Sequence, residues 1–214
     1  NISVKLTMLG LDFSDEMAMD NLRPVLAKAR EVSGFVRIDM EGSPYTERTI
    51  RITEALHAEF PGTVGTVIQA MLYRSGEDVQ RLMKNNIRIR LVKGAYAEPE
   101  SIAYQSRREV DAAYRRLLLM LLEGGNYPAI ATHDPAMIQL TRDHVARQGI
   151  SPDAFEFQML YGIRRDEQLN LVSQGYRVRI YVPFGTEWYP YYTRRIAERP
   201  ANALFALRQL VSRG

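Results

Sequence analysis

The sequence predicts an α/β protein, a (β/α)8 barrel of the TIM type with its first strand missing before Asn1, or an incompletely closed one. Two patterns lead there. Short β-rich runs alternate with longer stretches of helical period along the whole chain, which requires βαβ units and a parallel sheet. The strands also carry polar side chains on one repeated parity. A sheet covered by helices on both faces should instead be apolar on both, whereas the inside of a barrel can satisfy such groups with a ligand and with one another.

In chain order, residues 2–7, 35–40, 65–71, 87–93, 128–132, 155–160 and 176–182 read as strands. Helical periodicity fills the intervals, with boundary signals at several ends. Ser75 followed by Asp78 suits an N-cap, and Asp134-Pro135 suits a cap followed by a first-turn proline. Gly149 and Gly175 stand where helices should stop. No linker, repeat or low-complexity tract interrupts the pattern, so residues 1–214 are expected to form a single barrel domain.

The polar parity comprises Ser3 and Lys5, Arg37 and Asp39, Gln69, Arg88 and Arg90, Glu156 and Gln158, then Arg177, Arg179 and Tyr181, with Val67 and Leu160 in register. The opposite parity holds Val4, Ile38, Ile68, Ile89, Phe157, Val178 and Ile180, suited to packing beneath helices. A purely structural account of the interior charges pairs Glu156 with Arg88, Arg177 or Arg37. Lys5, Asp39, Gln69, Arg90, Leu160 and Tyr181 fall later in their strands, and the C-terminal strand ends of such a barrel build its site.

Composition narrows the classes. The chain of 214 residues is 46% hydrophobic and 25% charged, ordinary for a globular domain. A net charge of +3 with acids and bases interspersed gives no nucleic-acid footprint. The absence of cysteine removes disulfides, thiolate metal sites and thiol nucleophiles. No two histidines share metal-ligand spacing, so no metal is expected. The start reads as a strand, without a basic-then-apolar leader, and the expected compartment is the cytoplasm.

Three segments carry candidate chemistry. Near the end, Arg194 and Arg195 adjoin a helical turn with Glu198, more positive charge than an i,i+4 pair requires and suited to a small carboxylate. The segment Arg90-Leu91-Val92-Lys93-Gly94-Ala95-Tyr96 ends a strand with a cation, a glycine and an aromatic, which suits close approach to a phosphate or a flat ring. Thr132-His133-Asp134-Pro135 places a hydroxyl and an imidazole ahead of a helix N-terminus. No Gly-x-Gly-x-x-Gly follows a strand, which opposes a Rossmann dinucleotide site.

Taken together and in order, Val4-Lys5-Leu6, Ile38-Asp39-Met40-Glu41, Ile68-Gln69-Ala70, residues 89–96, Ala131-Thr132-His133, residues 155–160, and Arg179-Ile180-Tyr181 through Arg194, Arg195 and Glu198 resemble the proline dehydrogenase family of flavoenzymes. The resemblance implies a distorted barrel holding FAD, with an eighth strand and further helices ahead of the segment at Asn1. It implies oxidation of L-proline to Δ1-pyrroline-5-carboxylate by hydride transfer to flavin N5, with reoxidation by a quinone and peripheral contact with the inner membrane. By position, Arg194 and Arg195 would hold the substrate carboxylate, Lys5 and Asp39 would pair beside the substrate, Leu160 and Tyr181 would pack on its ring, and Glu198 would shape the pocket. Arg90 would lie near N5 and Met40 and Gln69 against the isoalloxazine. Val92, Lys93, Gly94, Ala95, Thr132 and His133 would line the remaining FAD. Catalytic roles then fall to Lys5, Asp39 and Arg90. Two alternatives stand beside this one: a Schiff-base aldolase using Lys93 or Lys5, and a flavin-binding module without catalysis.

Overall fold

A computed structural model describes residues 1–185, and Arg194, Arg195 and Glu198 lie outside the described residues. The chain divides into a compact unit, Asn1–Ile180, and a second that starts at Tyr181. Its elements alternate strictly: β1 (Ile2–Val4), α1 (Asp15–Glu31), β2 (Val36–Ile38), α2 (Ser43–Glu59), β3 (Val64–Gln69), α3 (Ser75–Lys84), β4 (Arg88–Val92), α4 (Arg107–Gly124), β5 (Ala129–Ala131), α5 (Pro135–Gln148), β6 (Glu156–Leu160), α6 (Arg165–Ser173) and β7 (Val178–Tyr181). All seven expected strands are present, most of them shorter than the sequence pattern. Their sheet order is the chain order, and the registers from β1 to β6 are parallel.

The sheet curls without closing, since no ladder joins β7 to β1 among the described residues. Its edges nevertheless approach: Asn1, with its amide oxygen turned toward β7, accepts from Arg179 at 2.7 Å. This is an incompletely closed barrel, one of the two forms that the polar parity allows, and it agrees with the distorted barrel that the family resemblance implies.

Local signals explain most boundaries. Ser14 caps α1 by accepting from the Met17 amide at 3.0 Å. Ser106 and Glu109 close a capping box at α4. Asp134 caps α5 ahead of Pro135, and Gly149 ends that helix at φ 65°. Gly175 follows α6 at φ 86° and donates to Val172. Ser75 departs from expectation. It is the first residue of α3 rather than its cap, because its hydroxyl turns back to donate to the Gln69 carbonyl at 2.5 Å. Asp78 is taken by Arg74 at 2.7 Å.

The core lies between the outer sheet face and the helices. Ile68, Ile89, Ile130 and Phe157 pack there with Tyr114, Leu117 and Leu121, while Val36 and Ile38 pack with Leu22, Leu26 and Leu56. Each such buried side chain contributes about 1.5–3 kcal/mol relative to exposure. The outer face thus holds the sheet against its helices and leaves the inner face for polar chemistry.

Candidate active site

The inner face is organised around Arg90, whose residue is 8% exposed. From β4 its guanidinium reaches across the interior in three directions. Nη1 donates to Asp39 Oδ1 at 2.7 Å, Nη2 to Ser3 Oγ at 3.0 Å, and Nε to Gln158 Oε1 at 2.5 Å. One planar fork therefore ties β4 to β1, β6 and the residue following β2. The expected Lys5 partner for Asp39 is not the one found: the Asp39 carboxylate pairs with Arg90, and Lys5 makes no ion pair among the described residues. The rigid guanidinium is suited to holding several acceptors at once, which an ammonium on a flexible stem does less well.

Glu156, 2% exposed, lies in the same inner layer. Arg179 grips it with two donors at 2.8 Å, one to each oxygen, and Gln158 Nε2 donates to the Oε1 that also accepts from Arg179 Nε. Burial alone would raise this carboxyl, but hydrogen bonds from Arg179 and Gln158 hold it below the usual range. The interior salt bridge envisaged from sequence exists, with Arg179 in place of Arg88, Arg177 or Arg37. Arg88 is stacked at 5.2 Å on Phe35 and on Tyr127, and Arg177 bonds Asp153 at 2.6 Å. Arg37 lies over Phe35 at 4.9 Å, its guanidinium lowered by burial and by repulsion from Arg90.

The C-terminal strand ends form the rim. Beyond β2, Met40 is buried, and the Glu41 carboxylate accepts from the Thr7 hydroxyl at 2.8 Å. Gln69 ends β3, and its Nε2 donates to the Glu41 carbonyl at 3.0 Å, which fixes the amide. At the end of β4, Val92 is half-buried and Ala95 exposed. Lys93 bridges Asp134, at 2.6 Å, and Asp111. Burial would raise Asp134, but Lys93 and the Ala136 amide hold it low. Gly94 turns at φ 116°, and a Cβ there would stand 2.3 Å from Met71 Sδ. After β5, the Thr132 hydroxyl accepts from the Asp134 amide at 3.0 Å. His133 Nε2 accepts from the Leu160 amide at 2.9 Å. Leu160 and Tyr181, both half-buried, close β6 and β7.

The structure thus brings Asp39 and Arg90 into direct contact and places Lys5, Met40, Gln69, Val92, Lys93, Gly94, Ala95, Thr132, His133, Leu160 and Tyr181 at or just beyond their strand ends. It adds Ser3, Asp111, Asp134 and Gln158 as partners that the sequence reading left out of the site. Gln158 had a usable signal, being on the same parity as Glu156 and Leu160. Asp111 had none, since it belongs to α4. Lys93 is flanked by two carboxylates, the opposite of the desolvated setting that activates an amine for Schiff-base chemistry. A cavity of about 640 Å³ opens at the other end of the strands, beside Phe35, Thr63, Arg88, Tyr127 and Arg177, away from every rim residue named above.

A family model described as "Proline dehydrogenase" matches residues 1–208. The chain belongs to the proline dehydrogenase family. It is 45% identical over 212 residues to "Proline dehydrogenase 1" of Bacillus subtilis (strain 168), covering 99% of this chain and 70% of that protein. It is 44% identical over 214 residues to "Proline dehydrogenase" of Deinococcus radiodurans, covering 98% and 69%. Among solved structures, proline utilization A from Bdellovibrio bacteriovorus inactivated by N-propargylglycine superposes with TM-score 0.84 at 32% identity, over 92% of this chain and 24% of that one.

Proline dehydrogenase family members are FAD-dependent oxidoreductases, so membership implies that this chain binds FAD. The residues fit such a group. The rim supplies a guanidinium, an ammonium, a fixed amide donor and a hydroxyl from three neighbouring strands, with a glycine where the backbone must approach closely. Among the described residues no helix is long and apolar enough to cross a membrane.

Proposed function

We propose that this chain oxidises L-proline to Δ1-pyrroline-5-carboxylate, with a quinone as the final electron acceptor. The observation that carries the reading is Arg90, a nearly buried cation held on three sides inside the barrel in a chain of this family. FAD, when bound, supplies the hydride acceptor. The other contributions come from the chain. Arg90, fixed by Asp39, Ser3 and Gln158, supplies positive charge where electron density accumulates, without reorganisation at the moment of reaction. Met40 and Gln69 would hold the flat ring, and Val92, Lys93, Gly94, Ala95, Thr132 and His133 the remaining FAD.

Substrate capture falls to Arg194 and Arg195 through the carboxylate, with Glu198, Leu160 and Tyr181 shaping the pocket and Lys5 adding charge beside it. Fixing the carboxylate orients the ring carbon that loses hydride, which is catalysis by positioning. Paired with Arg90, Asp39 serves as an electrostatic anchor in preference to a base. The compartment proposed is the cytoplasm, with peripheral contact at the inner membrane where a quinone is reached.

The test is the visible spectrum of the FAD-loaded, desalted protein before and after anaerobic L-proline. Flavin bands that bleach support the reading. Bands that persist refute the substrate assignment, and absent bands refute the cofactor assignment.

A further inference from the structure

Glu156 and Gln158 belong to the buried inner layer, yet neither is among the residues assigned above to substrate or FAD. We propose that Glu156, acting through Gln158, is a positioning residue that fixes the guanidinium of Arg90. The consequence for catalysis rests on the function proposed above; the positioning itself does not.

A Gln side chain presents an oxygen at one end and an amino group at the other, and either can face a neighbour. Arg90 Nε can only donate, so it requires the oxygen of Gln158, found at 2.5 Å. What holds the amide that way round is Glu156, an acceptor-only carboxylate that takes the Gln158 amino group. Glu156 is in turn kept ionised and immobile by Arg179, with donors at 2.8 Å to each oxygen, and by the Tyr127 hydroxyl at 3.3 Å. A polar chain thus runs Arg179, Glu156, Gln158, Arg90, Asp39, with each donor facing an acceptor.

Residues Glu156, Gln158 and Arg90 are 2%, 5% and 8% exposed, so water cannot readily replace a lost link. Removing the charge of Glu156 would leave an amide able to turn its amino group toward Arg90, two donors facing each other. The guanidinium would then lose the Gln158 bond that fixes its Nε end, while its Nη1 and Nη2 bonds to Asp39 and Ser3 remain.

The variants are Glu156→Gln, Gln158→Leu and a swap variant that combines Glu156→Gln with Gln158→Glu. The swap preserves the order of donors and acceptors. The amide then at position 156 can accept from Arg179 and donate to the carboxylate then at position 158, which accepts from Arg90. In the apoprotein, hydrogen exchange of the Arg90 Nε–H, identified by its loss in Arg90→Lys, reports the contact without flavin or proline. We expect exchange to speed up about tenfold or more in both single variants and to return to within about threefold of the parent in the swap variant. In the FAD-loaded enzyme, flavin reduction by proline should slow about tenfold in Glu156→Gln with KM changed by less than about threefold, the signature of a group acting on the reacting centre and not on binding.

Arg90 exchange within about twofold of the parent in both single variants overturns the proposal, as does a swap variant that folds but stays unprotected. Should Gln158→Leu fail to fold, Glu156→Gln and the swap variant decide. If the parent enzyme is not reduced by proline, the proposed function falls, while the apoprotein measurement still supports or overturns the positioning role.

Discussion

Replacing Gly94 by alanine should expose how tightly the end of β4 is built. Two costs arise. Gly94 lies at φ 116°, where an L residue is strained by about 1–3 kcal/mol. The added Cβ would also stand 2.3 Å from Met71 Sδ and 2.5 Å from its Cγ. Overpacking of this kind costs about 1–3 kcal/mol, toward the lower end here because a thioether chain can change rotamer. The sum is about 2–4 kcal/mol. At about 2–4 °C per kcal/mol for a chain of this size, the Tm of the apoprotein should fall by about 4–16 °C. Met71→Ala alone should cost about 2–5 kcal/mol, since Met71 is 7% exposed. In the double variant the shorter side chain at position 71 removes the clash but not the backbone strain, so the combined loss should be smaller than the sum by about 1 kcal/mol. Thermal melts of the four proteins give this cycle directly. Additivity within about 0.5 kcal/mol would refute the contact, and an unchanged Tm for Gly94→Ala would refute both terms. Gly94→Ala should also release FAD on desalting, because the same Cβ pushes the Lys93 to Ala95 backbone off the path assigned to the cofactor.

Three further outcomes follow from the site. Asp39→Ala, which strips Arg90 of a partner in a pair whose side chains are only 10% and 16% exposed, should cost about 3 kcal/mol in chemical denaturation; Asp39→Asn keeps an acceptor and should cost about 1 kcal/mol. Glu156 is held below its unfolded value, so the stability it contributes is present above about pH 4.3 and is lost as pH falls through the lower folded value; the gap in melting temperature between the parent and Glu156→Gln should therefore close between neutral pH and acid. Arg195→Met should raise the KM for proline about tenfold or more with FAD retained, measured by steady-state kinetics on the desalted enzyme, because a charge-assisted bond to the carboxylate is worth about 1.5–3 kcal/mol.

Much of the architecture was legible because strand parity is a strong constraint. Ile38, Ile68, Ile89 and Phe157 had to share a face, and the polar partners between them had to share the other. That alone distinguishes a curled sheet with a polar interior from a flat one covered on both sides. Boundaries were less legible: the sequence pattern runs on to residues 7, 40 and 71 where the ladders stop at Val4, Ile38 and Gln69. Apolar character continues past a strand end wherever the following turn is also buried, as Leu6, Met40 and Met71 are. Ser75 shows the same limit for caps, since a serine near a helix start can serve the helix or the preceding strand, and only the tertiary fold decides.

The pairing of charges was the least legible part, for a physical reason. Parity states which side chains point inward, not how far each reaches. Arg90 spans the interior to Ser3 and Gln158, residues 87 and 68 positions away in sequence, while Lys5, two residues from Ser3, takes no carboxylate among the described residues. Glu156 likewise takes Arg179 over three other arginines of the same parity because β6 and β7 are neighbours and because Arg88 and Arg177 are already held by aromatic rings and by Asp153. An interior of this kind is settled by satisfying most of its buried donors together, with Arg88 Nε left without a hydrogen-bond partner among the described residues. Family resemblance can name the residue at each position, but the role of Gln158 emerges only when the acceptors around Arg90 are counted one by one.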